Sequence, residues 1–178
     1  MKHINMQYHK TKYGEFIIAS FDEKLCMLDF RYRRMRITVD NRIKKGLNAE
    51  FIEQDDEVLQ KTRMQLDEYF SGERKEFDIP LLTVGTDFQK SVWEALVKVS
   101  YGTTSTYLQL SKNIDNEKAV RAVANANGAN AIGIIIPCHR IIGSNGELVG
   151  YAGGLPIKKR LLKLEQSLFT TDYNGLNI

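Results

Sequence analysis

The nine residues Ile134-Ile135-Ile136-Pro137-Cys138-His139-Arg140-Ile141-Ile142 constrain this chain more than any other stretch. Two β-branched runs favour buried, extended backbone on either side of a polar insert. On an unbroken strand Cys138 and His139 would face opposite ways, because side chains alternate. Pro137 lacks an N–H and has a fixed φ, which favours a break or bend at that point. A bend there can turn the thiol and the imidazole toward one cleft. Taken alone, the stretch is better read as a core cysteine beside an edge histidine, since free cysteine is among the most buried residue types.

The 178 residues fit one large domain or two small ones, with length enough for a real core. No apolar run approaches the ~18–20 residues of a membrane span. The opening Met1-Lys2-His3-Ile4-Asn5-Met6 lacks the hydrophobic core of a signal peptide. Two cysteines, Cys26 and Cys138, give no disulfide framework, and with three histidines they supply too few ligands in a zinc-binding spacing. These features lead us to expect a cytoplasmic protein with no metal and no membrane partner. Net charge is +3: residues 1–80 balance 15 basic against 15 acidic side chains, and residues 81–178 carry 10 against 7. The excess in the second half points toward a polyanionic partner there, although alone it decides little.

Residues 4–9, 15–21 and 25–31 read as short strands separated by Tyr13-Gly14 and Asp22-Glu23-Lys24. Cys26 falls within the third, with no acid or histidine patterned around it, and reads as core packing. The run Arg31-Tyr32-Arg33-Arg34-Met35-Arg36 invites a nucleic-acid reading, but charge runs are more often solvated faces and acids balance this half. Residues 37–54 suit a helix followed by a strand around Phe51-Ile52. From Asp55-Asp56, Leu59, Arg63, Leu66 and Phe70 recur at helical spacing until Ser71-Gly72. Residues 73–85, with Pro80 and Gly85, read as a linker, giving domains over 1–80 and 81–178.

The second half is helical and then mixed. Thr86-Asp87 can cap a helix from Phe88 to Val99. Two short helices, Ser105 to about Lys112 and Glu117 to about Asn127, joined through Asn113-Ile114-Asp115-Asn116, make a helix-turn-helix candidate. The second carries Lys118-Ala119-Val120-Arg121-Ala122-Val123-Ala124-Asn125-Ala126. A reader of the major groove would show several long polar side chains. Small residues instead permit close backbone approach, which suits the minor groove or tight packing on a neighbouring helix. Asn127-Gly128-Ala129-Asn130 ends the helix, and Ser144-Asn145-Gly146-Glu147 is a hairpin signal. Gly150-Tyr151-Ala152-Gly153-Gly154 is a flexible loop that lacks the ending of a phosphate loop. Pro156 opens a last helix with Ile157, Leu161, Leu162, Leu164 and Leu168 apolar and Glu165 its lone acid, before a frayed tail from Thr170.

In this order, the helix pair, Asn130, Pro-Cys-His-Arg and the Gly-Tyr-Ala-Gly-Gly loop resemble the O6-alkylguanine-DNA alkyltransferases, most strongly from Phe88 to Glu165. The resemblance implies an α+β chain: a small N-terminal sheet-and-helix domain, ribonuclease H-like in the family, and a helical C-terminal domain of winged helix-turn-helix type. It implies Cys138 as alkyl acceptor, His139 as its base, Glu165 as the acid orienting the histidine, and Asn130 as the hinge between recognition helix and acceptor. It further implies Tyr107 rotating the target nucleotide outward and Arg121 filling its place in the stack, with Ala119, Ala122, Ala124 and Asn125 of the same helix against the minor groove. Pro137 and the Tyr151, Ala152, Gly153, Gly154 loop would wall the flipped base. The implied partner is double-stranded DNA carrying O6-alkylguanine, met by a monomer without cofactor. Two departures stand out. Ala131 replaces the proline usual after the hinge asparagine, and Ala152 stands where some relatives have a serine that donates to the guanine oxygen.

An S-alkyl thioether offers water no activated carbonyl, and no second cysteine is placed by sequence to resolve it, so one transfer per molecule is expected. The competing readings are a non-catalytic lesion-binding protein, which would lack the cysteine, a helix-turn-helix regulator with Cys138 merely buried, and a cysteine hydrolase. The last lacks any known local signature around the nucleophile.

Overall fold

The computed structural model describes residues 2–166, and its internal contacts divide the chain after Gly85 into two units. In the first, β1 (His3–Thr11), β2 (Gly14–Phe21) and β3 (Lys24–Phe30) are joined by tight turns and pair antiparallel. The chain then crosses over through α1 (Arg36–Leu47), which allows β4 (Glu50–Glu53) to lie parallel to β1 with Ile4 opposite Phe51. The sheet order is β3-β2-β1-β4. Every residue from Phe16 to Phe21 is buried, so β2 is covered on both faces and reads as a continuous rather than alternating apolar run.

The second helix, α2 (Glu57–Phe70), begins where the carboxylate of Asp56 accepts the Leu59 N–H at 2.8 Å. The other oxygen of Asp56 accepts from Asn5 of β1 and Ser20 of β2, so one side chain caps the helix and ties it to two strands.

The basic run after β3 is spent on internal pairs. Arg33 and Arg36 both reach the buried Asp29, at 3.0 and 3.2 Å; Arg36 also pairs with Asp40, and Arg31 with Glu15. Only Arg34 of the four is exposed. That is the physical reason to decline a nucleic-acid role for this run. Burial pushes the Cys26 thiol up to about 12, which keeps it protonated and unreactive in the core.

The stretch expected as a free linker is docked over much of its length. Leu25 donates to the Pro80 carbonyl and accepts from Leu82, both at 2.8 Å, and Arg42 Nε donates to the Val84 carbonyl. Residues 80–84 therefore go with the first unit, and a division at residue 80 would cut through this strap.

In the second unit, α3 (Asp87–Val97) starts in a capping box between Thr86 and Gln89. Trp93 of α3 donates its indole N–H to the Ala126 carbonyl at 2.8 Å, fixing α3 against α5 (Val120–Gly128). The expected helix pair is present with shifted ends. Ser105–Thr106 is a short strand, β5, and Thr106 caps α4 (Tyr107–Asn113). Residues Glu117–Ala119 form a 3-10 turn ahead of α5.

Three readings of the later chain need correction. Residues 134–136 are not a strand, and only Ile141–Ile142 forms one, β6, parallel to β5. Residues 143–147 make an isolated turn closed by Gly143 N–H to the Glu147 carbonyl, not a hairpin. Glu165 lies one residue past α6 (Leu155–Leu164), where it is the C-cap. Leu168 and the tail from Thr170 lie outside the described residues. Among those described, no helix is long and apolar enough to cross a membrane, and no group of three or more His, Cys, Asp or Glu is placed to hold a metal.

Candidate active site

The cysteine is presented by two successive γ-turns. Ile134, a buried β-branched residue, has φ +69°, and the Ile135 N–H closes over it onto the Gly133 carbonyl at 2.7 Å. Such a conformation costs about 1–3 kcal/mol and persists only where surrounding structure enforces it. The enforcement comes from Asn130. Its amide donates to the Ile136 carbonyl at 2.8 Å and its oxygen accepts the Ile132 N–H at 3.0 Å. Pro137 then sits at φ −82°, ψ 63°, the inverse γ-turn that its ring favours, with the Cys138 N–H on the Ile136 carbonyl. The bend foreseen from Pro137 thus has a defined geometry, and the chain leaves it as a 3-10 turn, Cys138–Arg140.

Because Asn130 satisfies two buried main-chain groups, Asn130→Ala is expected to cost about 2–3 kcal/mol in urea unfolding. It should also slow the reactivity of Cys138. Asn130→Asp, which keeps the acceptor but sets a buried carboxylate oxygen against the Ile136 carbonyl, should be at least as costly as alanine.

On the 3-10 turn, His139 is fully buried and its Nε2 lies 2.8 Å from Glu165 Oε2. Arg140 takes the same carboxylate with two donors, Nε to Oε1 at 2.8 Å and Nη2 to Oε2 at 3.0 Å. Its remaining Nη1 donates to the Val99 carbonyl at 2.7 Å. Burial would raise the Glu165 pKa, but the bonds from His139 and Arg140 outweigh it and hold the carboxyl down at about 2. Burial lowers the His139 pKa more than the bond to Glu165 raises it. The resting pair is therefore a carboxylate with a neutral imidazole, and the charge balance is supplied by Arg140. An imidazole donating from Nε2 carries its lone pair on Nδ1, and Nδ1 is the ring atom with no hydrogen-bond partner among the described residues. In that tautomer the imidazole keeps an accepting nitrogen that no described residue occupies.

Cys138 is 6% exposed. Tyr107, at the start of α4, lies within electrostatic reach of the sulfur and hydrogen-bonds with Asn127; burial pushes its hydroxyl up, so it stays a donor at neutral pH. Tyr151 packs edge-on to His139, with ring centroids 6.4 Å apart. The following loop closes as a turn through Gly154 N–H to the Tyr151 carbonyl, leaving Ala152 and Gly153 half-buried at its centre. Gly150 adopts φ +50°, a conformation that favours glycine. A Cβ there would make an ordinary van der Waals contact of 3.8 Å with the Tyr107 phenolic oxygen, so the loop starts beside Tyr107. The structure thus brings Pro137, Cys138, His139, Glu165, Tyr107 and Tyr151 together.

The helix residues divide. Arg121, Ala122 and Asn125 form one exposed face of α5, whereas Ala119 and Ala124 are half-buried on its flanks. Two site residues escape sequence reasoning. Arg140, the fork that holds Glu165, is one. Lys158 is the other, fully buried with its ammonium on the carbonyls of Ile141, Val149 and Gly150. A signal for Lys158 exists: it stands three and four residues before Leu161 and Leu162, on the apolar face of α6.

Two family models cover almost the whole chain: the 6-O-methylguanine DNA methyltransferase ribonuclease-like domain over residues 4–83, and the DNA binding domain of the same name over 87–167. This chain belongs to the 6-O-methylguanine DNA methyltransferase family. It is 46% identical to the methylated-DNA–protein-cysteine methyltransferase of Methanosarcina acetivorans over 86% of this chain and 93% of that one. The enzyme of the same name from Haemophilus influenzae is 41% identical over 89% and 84% of the two chains. The crystal structure of Mycobacterium tuberculosis OGT in complex with DNA superimposes with a TM-score of 0.77 at 34% identity, covering 98% of this chain and 99% of that one. The α+β organisation expected from sequence is that of this methyltransferase family.

Proposed function

We propose that the chain repairs duplex DNA by moving the alkyl group of O6-alkylguanine onto the sulfur of Cys138. Direct-reversal DNA repair is the function of the family to which the chain belongs, and methyl transfer to a protein cysteine is its enzymatic class. The observation that carries the residue assignment is the buried His139 imidazole, its Nε2 2.8 Å from Glu165 Oε2 and its Nδ1 without a hydrogen-bond partner among the described residues, one residue from the cysteine.

A free cysteine is only a few per cent thiolate at neutral pH. His139 takes the thiol proton, and Glu165 stabilises the imidazolium that forms. The thiolate attacks the alkyl carbon; an S–C bond forms, the C–O6 bond breaks, and guanine leaves with the electron pair and gains a proton. The Tyr107 hydroxyl is a donor placed to hydrogen-bond the departing base. Asn130 and Pro137 fix the nucleophile, while Tyr151, Ala152, Gly153 and Gly154 wall the base. With Ala152 offering no hydroxyl, loop N–H groups or Tyr151 serve the guanine oxygen.

The reacting carbon lies inside the base stack, so the nucleotide must be extruded, at a cost of a few kcal/mol. Arg121 fills the vacated place from the exposed face of α5, where Ala122 and Asn125 line the minor groove and Ala119 and Ala124 allow close approach. The protein acts as a monomer in the cytoplasm, without cofactor. A non-catalytic lesion binder is disfavoured by the cysteine at 138, and a regulator by the base and acid assembled around it.

The decisive experiment is incubation with duplex containing O6-methylguanine, followed by peptide mass spectrometry. The expected result is a single methyl on Cys138, none in Cys138→Ser, and a plateau at one methyl per protein under excess DNA. Methylation elsewhere, or sustained turnover, would sink the assignment.

A further inference from the structure

Oδ1 of Asn127 is a buried polar atom with no partner among the described residues, and no step of the transfer uses it. Asn127 is the penultimate residue of α5 and is 6% exposed. Its backbone is held on both sides. The Ala126 carbonyl before it takes the Trp93 indole, and its own carbonyl accepts the Asn130 N–H at 3.3 Å. Its side chain reaches α4, which packs on α5, and hydrogen-bonds the Tyr107 hydroxyl.

The polarity of that bond carries the information. The oxygen is the unpartnered end of the amide, so the Nδ2 end meets Tyr107 and donates to the phenolic oxygen. The effect on Tyr107 agrees: Asn127 opposes the upward push of burial on the hydroxyl, as a donor does and an acceptor would not. A buried carbonyl left unpaired is costly. Turning the amide over would relieve it, because the phenolic proton would then reach Oδ1. That arrangement would also commit the one proton of Tyr107 to the protein and leave only lone pairs for a substrate. As observed, Asn127 fills a lone pair of the phenol and the proton is left over. Cys138 lies within electrostatic reach of this hydroxyl, and the substrate loop starts beside it at Gly150.

We propose that Asn127 is a positioning residue for the alkyl transfer, its amide occupying the acceptor side of the Tyr107 hydroxyl so that the phenolic proton is kept for the departing base. The proposal rests on Cys138 being the alkyl acceptor. Asn127 acts through Tyr107 and not on the sulfur. As the C–O6 bond breaks, its electron pair goes to the guanine, and a donor already aimed at the base gains strength as that charge develops. A hydroxyl that accepts from an amide is also polarised into a better donor. The unpaired Oδ1 is the stability forgone to keep the proton outward.

The test is a double-mutant cycle on single-turnover methyl transfer from O6-methylguanine duplex, using wild type, Asn127→Ala, Tyr107→Phe and the double variant. Asn127→Ala is expected to slow transfer about tenfold beside Tyr107, and by less than about twofold in the Tyr107→Phe background. Alkylation of Cys138 by iodoacetamide, which has no base to release, should change by less than about twofold in Asn127→Ala. A merely structural role would slow both reactions and both backgrounds alike. Equal losses in the two backgrounds, or a wild-type rate in folded Asn127→Ala, would overturn the proposal. A second measurement covers an alanine variant that does not fold: the side-chain amide resonances of Asn127 in wild type and in Tyr107→Phe. Loss of the phenolic acceptor should move the bonded amide proton upfield, and coincident resonances would equally overturn it. If wild type accepts no methyl from the duplex, the functional reading falls and takes the proposal with it, a failure distinct from equal losses in the cycle.

Discussion

Glu165→Gln is expected to slow methyl transfer by about 10²–10⁴-fold and to destabilise the protein by about 3–5 kcal/mol. One carboxylate serves two partners. The neutral amide keeps one acceptor oxygen where two oxygens now take three hydrogen bonds, and it leaves Arg140 buried without a counter-charge. Without the anion, an imidazolium at His139 has nothing to stabilise it, so the proton of Cys138 has nowhere favourable to go. The stability effect has a pH signature. Because the folded Glu165 carboxyl is held at about 2, below its ordinary value near 4.5, its contribution is complete above about pH 4.5. It is lost as pH falls from there through about 2. Urea unfolding should show this acid limb in wild type and lose much of it in Glu165→Gln. Single-turnover repair of methylated duplex gives the rate. A variant as stable and as fast as wild type would remove Glu165 from the mechanism.

Arg121→Ala is expected to act on DNA rather than on chemistry. The side chain is exposed on α5, so stability should change by no more than about 0.5 kcal/mol. Filling a vacated base position offsets part of an extrusion cost of a few kcal/mol, and its loss should slow duplex repair by roughly 10–100-fold. Reaction with free O6-methylguanine, which needs no extrusion, should be nearly unaffected. The ratio of the two rates is the measurement, and equal losses on both substrates would exclude a role in flipping.

Local contacts leave a signal in the sequence and long-range ones do not. Asp56 and Thr86 were readable as helix starts because a cap is a local interaction between residues two or three apart. The bend at Cys138 and His139 was readable from Pro137, whose ring favours the turn. The isoleucines before it misled. A β-branched run favours extended backbone, yet Ile134 adopts a left-handed φ because the Asn130 side chain binds the main chain on both sides of it, and no strand propensity encodes that competition. Lys158, Lys159 and Arg160 look like one solvated cluster, but only the first is fully buried. Apolar spacing within α6 distinguishes it, provided a lysine is allowed on an apolar face. Arg140 gave no comparable signal, since its partners, Val99 and Glu165, are 41 and 25 residues away.

The hydrogen bonds between Asn130 and Cys138 interlock: Ile135 to Gly133, Ile136 to Ile132, Cys138 to Ile136, and the Asn130 amide across to Ile136. Each closes over a fixed number of atoms. Inserting or deleting one residue would move every later donor off its acceptor and swing the sulfur away from the imidazole that serves it. Between Asn130 and Pro137 residue identity can drift as long as the packing is kept, but the number of residues cannot change. The surface turn at 143–147 carries no such restriction, so it is there, rather than beside the nucleophile, that the domain can absorb a graft or a tag.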